Sequence, residues 1–181
     1  RKYLESSIDL KEKMETPKGL ANSYLSLASV IFKEGDMKQA LIYFEKGKQL
    51  AQTTKEIHIE AACLNGIAAV QFKKENYKDA AKGYSHALEL YESFDGDHRK
   101  IIAGVLHNLA SAHRELGEFD KAFELLNASL ELAKEIQSNE DIKQAYAGLK
   151  AYYKDKGYLE NALIAEENHS IYKDSVVNEY A

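Results

Sequence analysis

The sequence predicts an all-α protein, a solenoid of antiparallel helix hairpins. Three observations carry that expectation: a shortage of helix breakers, an internal repeat of about 40 residues, and apolar residues at helical spacing inside every copy. The 181 residues include one proline, Pro17, and ten glycines, whereas average usage of about 5% would supply roughly nine prolines. Long helices are the consequence. Hydrophobic residues make up 45% and charged residues 29%, a balance that supports a folded core and excludes a disordered tail.

Aligned on itself, the chain shows four copies. GDMKQALIYFEKG, ENYKDAAKGYSHA, GEFDKAFELLNAS and GYLENALIAEENH superpose on Ala40, Ala80, Ala122 and Ala162, at spacings of 40, 42 and 40 residues. Twelve residues before each alanine stands a second aligned position, Ala28, Ala68, Ala110 and Lys150. Apolar residues flank it at helical offsets, as Tyr24, Leu27, Ile31 and Phe32 do around Ala28, so every unit is a pair of helices, A then B. Small residues where A crosses B let the two backbones approach, and larger apolar residues a turn away fill the remaining space.

The elements follow in order. Leu4, Ser7 and Leu10 align 40 residues ahead of Phe44, Gly47 and Leu50, so residues 1–15 read as a B helix without its A partner, and the chain is expected to be part of a longer protein. Leu4 and Ile8 would then form an exposed apolar flank able to pair chains as a homo-oligomer. Repeat 1 covers 17–54, with Thr16 as N-cap and Pro17 as the first helical residue. Repeat 2 covers 55–94, repeat 3 covers 97–137, and repeat 4 with a long C-terminal capping helix covers 139–181. Gly35, Gly117 and Gly157 mark the turns between A and B, with Asp36 and Asn76 as N-caps of the second helix. Thr53 with Glu56, and Ser138 with Asp141, have the spacing of capping boxes between repeats. Repeat 4 departs from the pattern: Lys150 stands at the small position, and Glu166 and His169 replace an aromatic and a small residue. A polar outer face suits a terminal repeat, provided that Lys150 extends its ammonium out of the crossing.

The sequence carries no catalytic signature. It has no Gly-rich phosphate loop, GxSxG elbow or HExxH, and Cys63 lies beside the packing residue Leu64 as a small hydrophobe would. His107 and His113 are six residues apart, on different faces of a helix, His86 lies beside the small Ala87, and His58 and His98 near helix starts lack a Cys or carboxylate cluster at ligand spacing. Neither a metal nor a cofactor is expected, and the chain itself is not expected to be an enzyme. The net charge of −5 has its signs interspersed, which argues against nucleic acid as a partner. No run is long and apolar enough to span a membrane. One cysteine does not report a redox compartment.

The recurring residues resemble the tetratricopeptide repeat: Tyr24, Leu27, Ala28 and Ile31 with Ala40, Phe44 and Gly47, then Leu64, Ile67 and Ala68 with Ala80, Tyr84 and Ala87, then Leu106, Leu109, Ala110 and His113 with Ala122, Leu126 and Ser129. Since the usual length is 34 residues, the longer period is similar to that of the long-repeat variants in kinesin light chains, mitotic spindle adaptors and bacterial peptide-sensing regulators. The resemblance implies a right-handed α-α superhelix of about four repeats plus the leading half repeat. It also implies a concave groove, lined by A helices, that takes a protein or peptide. By that resemblance Asn22, Leu25, Ser29, Phe32 and Lys33 face the groove from repeat 1, and Asn65, Ala69, Phe72 and Lys73 from repeat 2. His107, Ser111 and Arg114 face it from repeat 3, and Lys154 from repeat 4.

Asn and Ser can bond a peptide backbone, and Phe32 and Phe72 offer apolar shelves. The cations Lys33, Lys73, Arg114 and Lys154 recur at the ends of the A helices. Two explanations stand: they complement helix dipoles, or they form an electropositive rim for an acidic peptide. Leu25 and Ser29 occupy the places where a chaperone-binding carboxylate clamp needs Lys and Asn, which disfavours a co-chaperone.

The closing segment, with Tyr172, Lys173, Asp174 and Ser175, is similar to the end of tetratricopeptide sensor regions in Bacteroidetes-type signalling proteins. That resemblance implies an extracytoplasmic sensing or interaction region, followed by a histidine kinase or DNA-binding output. A passive scaffold that joins proteins through the same groove is the alternative.

Overall fold

The computed structural model describes residues 1–13 and 19–179, and these form helices α1 (Lys2–Lys13), α2 (Leu20–Glu34), α3 (Met37–Thr54), α4 (Ile57–Lys73), α5 (Tyr77–Ser93), α6 (Arg99–Glu115), α7 (Phe119–Glu135), α8 (Asn139–Asp155) and α9 (Leu159–Glu179). Thr16 and Pro17 lie outside the described residues. The chain divides into two compact units, Arg1–Phe94 and Asp95–Ala181.

In the first unit, hairpin α2–α3 stacks on hairpin α4–α5, with α3 against α4, α2 against α4, and α1 against α2. The second unit repeats the plan with α6–α7 and α8–α9: α7 meets α8, and α6 meets α8. Each hairpin gains its core from its neighbour, which is how a repeat of this size becomes stable.

The small positions are where the helices touch. Ala28, Ala68, Ala110, Ala40, Ala80 and Ala122 are fully buried. At the α4–α5 crossing a Cβ on Gly83 would stand 2.9 Å from the Ala68 Cβ, so neither position has room for a larger residue. A second crossing is closer still to the backbone. A Cβ on Gly47 would meet the Ala21 carbonyl at 3.3 Å and the Cys63 sulfur at 2.9 Å, and at the same repeat position in the second unit the buried Ser129 hydroxyl donates to the Ala103 carbonyl at 2.8 Å. Cys63 is thus a packing residue, and burial pushes its thiol up to about 12.

Between stacked hairpins the contact follows one rule. A large residue of the B helix enters a notch in the next A helix: a Cβ on Gly66 of α4 would lie 2.4 Å from the Phe44 ring, and one on Gly148 of α8 would lie 2.4 Å from Leu126. Met37 and Leu41 pack against the first unit's core, to which Phe44 and Val70 both belong. In the second, Phe119 and Phe123 meet Tyr152, the latter stacked at 5.0 Å between centroids.

Among the described residues, six helix ends use the same turn. A left-handed residue closing the helix donates its N–H to the carbonyl three back, and the next N–H bonds to the carbonyl five back, as Gly35 N to Phe32 O and Asp36 N to Ile31 O do. This is the Schellman arrangement. The left-handed residue is Gly35, Gly117 and Gly157 within repeats 1, 3 and 4, but Glu75 in repeat 2, and Lys55 and Gln137 between repeats. The α5–α6 connection differs: Phe94 is extended and Gly96 has φ 135°. This is where the 42-residue spacing places its two extra residues.

The caps divide. Asp36 accepts from Gln39 N at 2.9 Å, and Ser138 accepts from Asp141 N, both as the sequence predicts. Asn76 occupies its N-cap position without a capping bond, and its amide nitrogen donates to Gln71 Oε1. Thr53 is not a cap at all: it lies inside α3 and bonds back to the Gln49 carbonyl, while Glu56 is itself the residue preceding α4. The expected apolar flank is also corrected. Ile8 is buried and Leu4 packs against the first core, because α1 lies on α2; Tyr3 and Leu10 are the exposed apolar residues of that helix.

Lys150 does extend its ammonium, to Glu166 Oε2 at 2.6 Å. The two stand sixteen residues apart, at the places held by Ala28 with Phe44, Ala68 with Tyr84, and Ala110 with Leu126 in the other repeats. A charge pair has replaced a small–large pair. His169 is half-buried, and Tyr172 stacks on Tyr146 at 6.0 Å, which anchors the closing helix to α8.

Two substitutions test this packing. Glu75→Gly relieves a left-handed backbone that costs an L-residue about 1–2 kcal/mol, set against a glycine entropy penalty of about 0.5–1 kcal/mol, so an unfolding free energy from chemical denaturation that is higher by about 0–1.5 kcal/mol is expected. Ala68→Leu overfills the crossing with Gly83 and is expected to cost about 1–3 kcal/mol in the same measurement.

Candidate functional site

The A helices present the positions singled out from sequence, and their environments differ between the two units. In the first, Asn22 and Lys33 of α2 and Lys73 of α4 are exposed, whereas Leu25, Ser29 and Phe32 of α2 and Asn65, Ala69 and Phe72 of α4 are half-buried. The Ser29 hydroxyl donates to the Leu25 carbonyl at 2.8 Å, so it keeps only its acceptor capacity for a ligand. Phe72 leans edge-on against Tyr77 at 5.3 Å. Among the described residues neither Lys33 nor Lys73 has an ion-pair partner.

In the second unit Ser111 likewise donates to the carbonyl of His107, at 3.0 Å. Arg114 is engaged: its guanidinium bonds Glu115 at 2.5 Å and reaches Asp155 at 3.4 Å, joining the end of α6 to the end of α8. It is therefore a brace between hairpins rather than a free cation like Lys33. Lys154 is exposed. His113 bonds Glu118 at 3.0 Å across the A-to-B turn, a partnership that sequence spacing alone did not suggest.

Asn65 of α4 and His107 of α6, at the same place in repeats 2 and 3, share a property. Asn65 Oδ1 and His107 Nδ1 are both buried and have no hydrogen-bond partner among the described residues, although Asn and His each carry groups that prefer one. The His107 ring lies over Gly148, where an added Cβ would come within 3.1 Å of it. Burial lowers its pKa, Arg114 lowers it further, and Asp141 opposes them.

Among the described residues, surface cavities lie away from the candidate positions. A cavity of about 570 Å³ lies at the loop edge of the second unit, bordered by Asp97, Arg99 and Lys100 at the start of α6 and by Gln137, Ser138 and Glu140 at the start of α8. There Arg99 grips Asp97 through two bonds of 2.9 and 2.8 Å and holds its carboxyl at about 2. A smaller one of about 350 Å³ is lined by Leu109, His113, Lys121, Glu124, Leu125 and Ala128. The others lie beside Leu20 and Tyr24, and beside Gly117 and Phe119. Among the described residues no group of three or more His, Cys, Asp and Glu is placed to hold a metal ion. No described helix is long and apolar enough to cross a membrane.

Stacked hairpins, alanine crossings and a mixed polar and apolar A-helix face define a helical repeat protein of the interaction type. The chain belongs to the tetratricopeptide repeat family, which it matches over residues 19–93 and 60–135. It is 26% identical over 137 residues to nuclear autoantigenic sperm protein of Homo sapiens, covering 75% of this chain and 15% of that protein. It is 22% identical over 124 residues to response regulator aspartate phosphatase A of Bacillus subtilis, covering 68% and 32%. The chain thus spans a third or less of these relatives. Among solved structures it is similar to BtubC from P. vanneervenii, with a TM-score of 0.77 at 20% identity over 88% of this chain and 65% of that one. A signal transduction ATPase with a tetratricopeptide repeat sensor from Pyrococcus horikoshii gives a TM-score of 0.78 at 18% identity, covering 98% and 28%. A kinesin light chain from Podosopora anserina gives 0.71 at 16% identity, covering 96% and 85%. These likenesses show the α-α solenoid fold.

The state of His107 makes stability depend on pH. Its folded pKa lies below the unfolded value of about 6.5, so the unfolded chain binds more protons as pH falls through that range, and stability drops. Urea midpoints measured at pH 7.5 and 5 should show a loss on acidification that is smaller in His107→Gln.

Proposed function

We propose that this protein-interaction module is the sensory or interaction region of a larger bacterial signal-transduction protein, and that it binds a protein or peptide along its A-helix faces. The observation that carries the reading is that Asn65 of α4 and His107 of α6 hold buried polar atoms without a partner among the described residues, while the A helices of the first unit also offer the half-buried Phe32 and Phe72. An extended peptide supplies N–H and carbonyl groups that would satisfy such atoms, and apolar side chains that would rest on such shelves. Lys33 and Lys73 add two exposed cations at the ends of neighbouring helices, which favours an acidic ligand. The named roles of two similar proteins, a sensor of a signal transduction ATPase and a response regulator phosphatase, support the signalling context. The chemistry of an output would belong to another part of such a protein, since binding here requires only a shift between conformations of a stacked array.

Charge reversal at Lys33 and Lys73 together is the direct test. Among the described residues these side chains are exposed and unpaired, so Lys33→Glu/Lys73→Glu should leave helicity and melting nearly unchanged while weakening an acidic peptide by about tenfold in calorimetry. Unaltered affinity would reject the acidic-ligand reading. Arg114 is left out of the variant because its removal would also unbrace α6 from α8.

A further inference from the structure

The connection ahead of α6 holds two groups that can react with each other. Asp95 and Gly96 are both exposed, in the one inter-repeat link that departs from the shared turn. The neighbouring Asp97 carboxylate is gripped by Arg99. Among the described residues, by contrast, neither the Asp95 carboxyl nor the Gly96 N–H is engaged in a hydrogen bond or an ion pair. The Gly96 nitrogen and the Asp95 Cγ are the nucleophile and the electrophile of a cyclic imide, and both are free to meet.

A third group stands over them. His98 Nε2 lies 3.3 Å from the Asp95 carbonyl oxygen, and a Cβ on Gly96 would come within 2.6 Å of that same nitrogen, so only glycine lets the ring lie here. A carbonyl can only accept, and the imidazole therefore meets it in the tautomer that carries its proton on Nε2. A donor on that oxygen draws charge from the peptide unit that Asp95 shares with the Gly96 nitrogen, which makes the N–H easier to remove.

We propose that Asp95 is a modification site, at which the folded chain isomerises to isoaspartate with His98 promoting the reaction. The Gly96 nitrogen attacks Cγ of the protonated Asp95 carboxyl; the N–Cγ bond forms, the Cγ–OH bond breaks, and water leaves with the amide proton. Water then adds to the former main-chain carbonyl carbon, whose oxygen His98 polarises. The bond from that carbon to the nitrogen breaks, and the nitrogen regains a proton. The main chain now runs through Cγ and is one carbon longer, and the free carboxylate sits where the main-chain carbonyl was. The water released is the water consumed, so no co-reactant is needed.

Asn65 with Gly66 supplies an internal contrast. An Asn–Gly pair closes the same ring with ammonia as leaving group and needs no prior protonation, so in an unstructured chain it is the faster of the two. It lies inside α4, however, with the Phe44 ring filling the space beside Gly66, and the helix holds the Gly66 N–H in its own ladder. Folding thus reverses the chemical order.

The test incubates the intact chain in neutral buffer made with heavy-oxygen water, with and without guanidinium chloride, and circular dichroism verifies the folded and unfolded states. Peptide mapping by mass spectrometry reads conversion at Asn65 and, at Asp95, the heavy oxygen together with resistance to a protease specific for aspartate. In native buffer Asp95 is expected to convert at least about tenfold faster than Asn65, and in guanidinium the order should invert. His98→Leu should slow Asp95 in native buffer by at least about threefold and leave its rate in guanidinium unchanged. An unconverted Asp95 in the native chain, after Asn65 has reacted fully in guanidinium, overturns the proposal. So does an equal native rate in His98→Leu. If that variant does not fold, the parent chain decides: native conversion of Asp95 slower than its conversion in guanidinium overturns the promotion by His98, and native conversion as fast or faster supports it.

Discussion

Everything in this protein depends on how closely an A helix and its B helix can approach. The alanines at the crossings are sealed from solvent, and at Ala68 the opposing residue is reduced to glycine, with no space for even one more methyl group. Close approach lets short side chains serve as the contact and frees the long ones to reach sideways into the next hairpin. Phe44 entering the Gly66 notch and Leu126 entering the Gly148 notch are that sideways reach. The stack, and therefore the A-helix faces offered to a ligand, follows from the crossing.

The hairpins were legible because their signal is local and periodic. An alanine twelve residues before another, repeated every 40 or so, needs no knowledge of tertiary contact to be recognised. Caps were less legible, since a polar residue at the right offset has several bonds open to it: Asp36 caps its helix, while Asn76 turns to Gln71 and Thr53 to its own helix. The same limit applied to the candidate site. Sequence placed Lys33 and Arg114 in one class, but Arg114 finds Asp155 on a different hairpin, a contact fixed by stacking. Ser29 and Ser111 read as free hydroxyls and are committed to the carbonyls one turn back.

Repeat 4 shows how a departure from the pattern can still obey it. Lys150 and Glu166 each break the rule for their own position. Taken together they satisfy each other across the same crossing. Two substitutions that would each be costly alone, a bulky cation at a small site and an anion at an aromatic one, become tolerable because they meet. The cost is a helix whose outward side keeps apolar residues without the aromatic that accompanies them in α3 and α5.

The shared turn has a consequence for how such a chain can change its length. Glu75 and Gly35 have different side chains but the same left-handed backbone and the same pair of hydrogen bonds, so the chain enters each B helix by one route. Gain or loss of a segment running from one such residue to its counterpart joins ends of identical conformation and needs no new loop to be invented. Length in this architecture is therefore quantised in hairpins, and a duplicated segment inherits a folding geometry already proven next door. The left-handed Glu75 adds that this geometry is dictated by the stacked helices, firmly enough to be kept where glycine is absent.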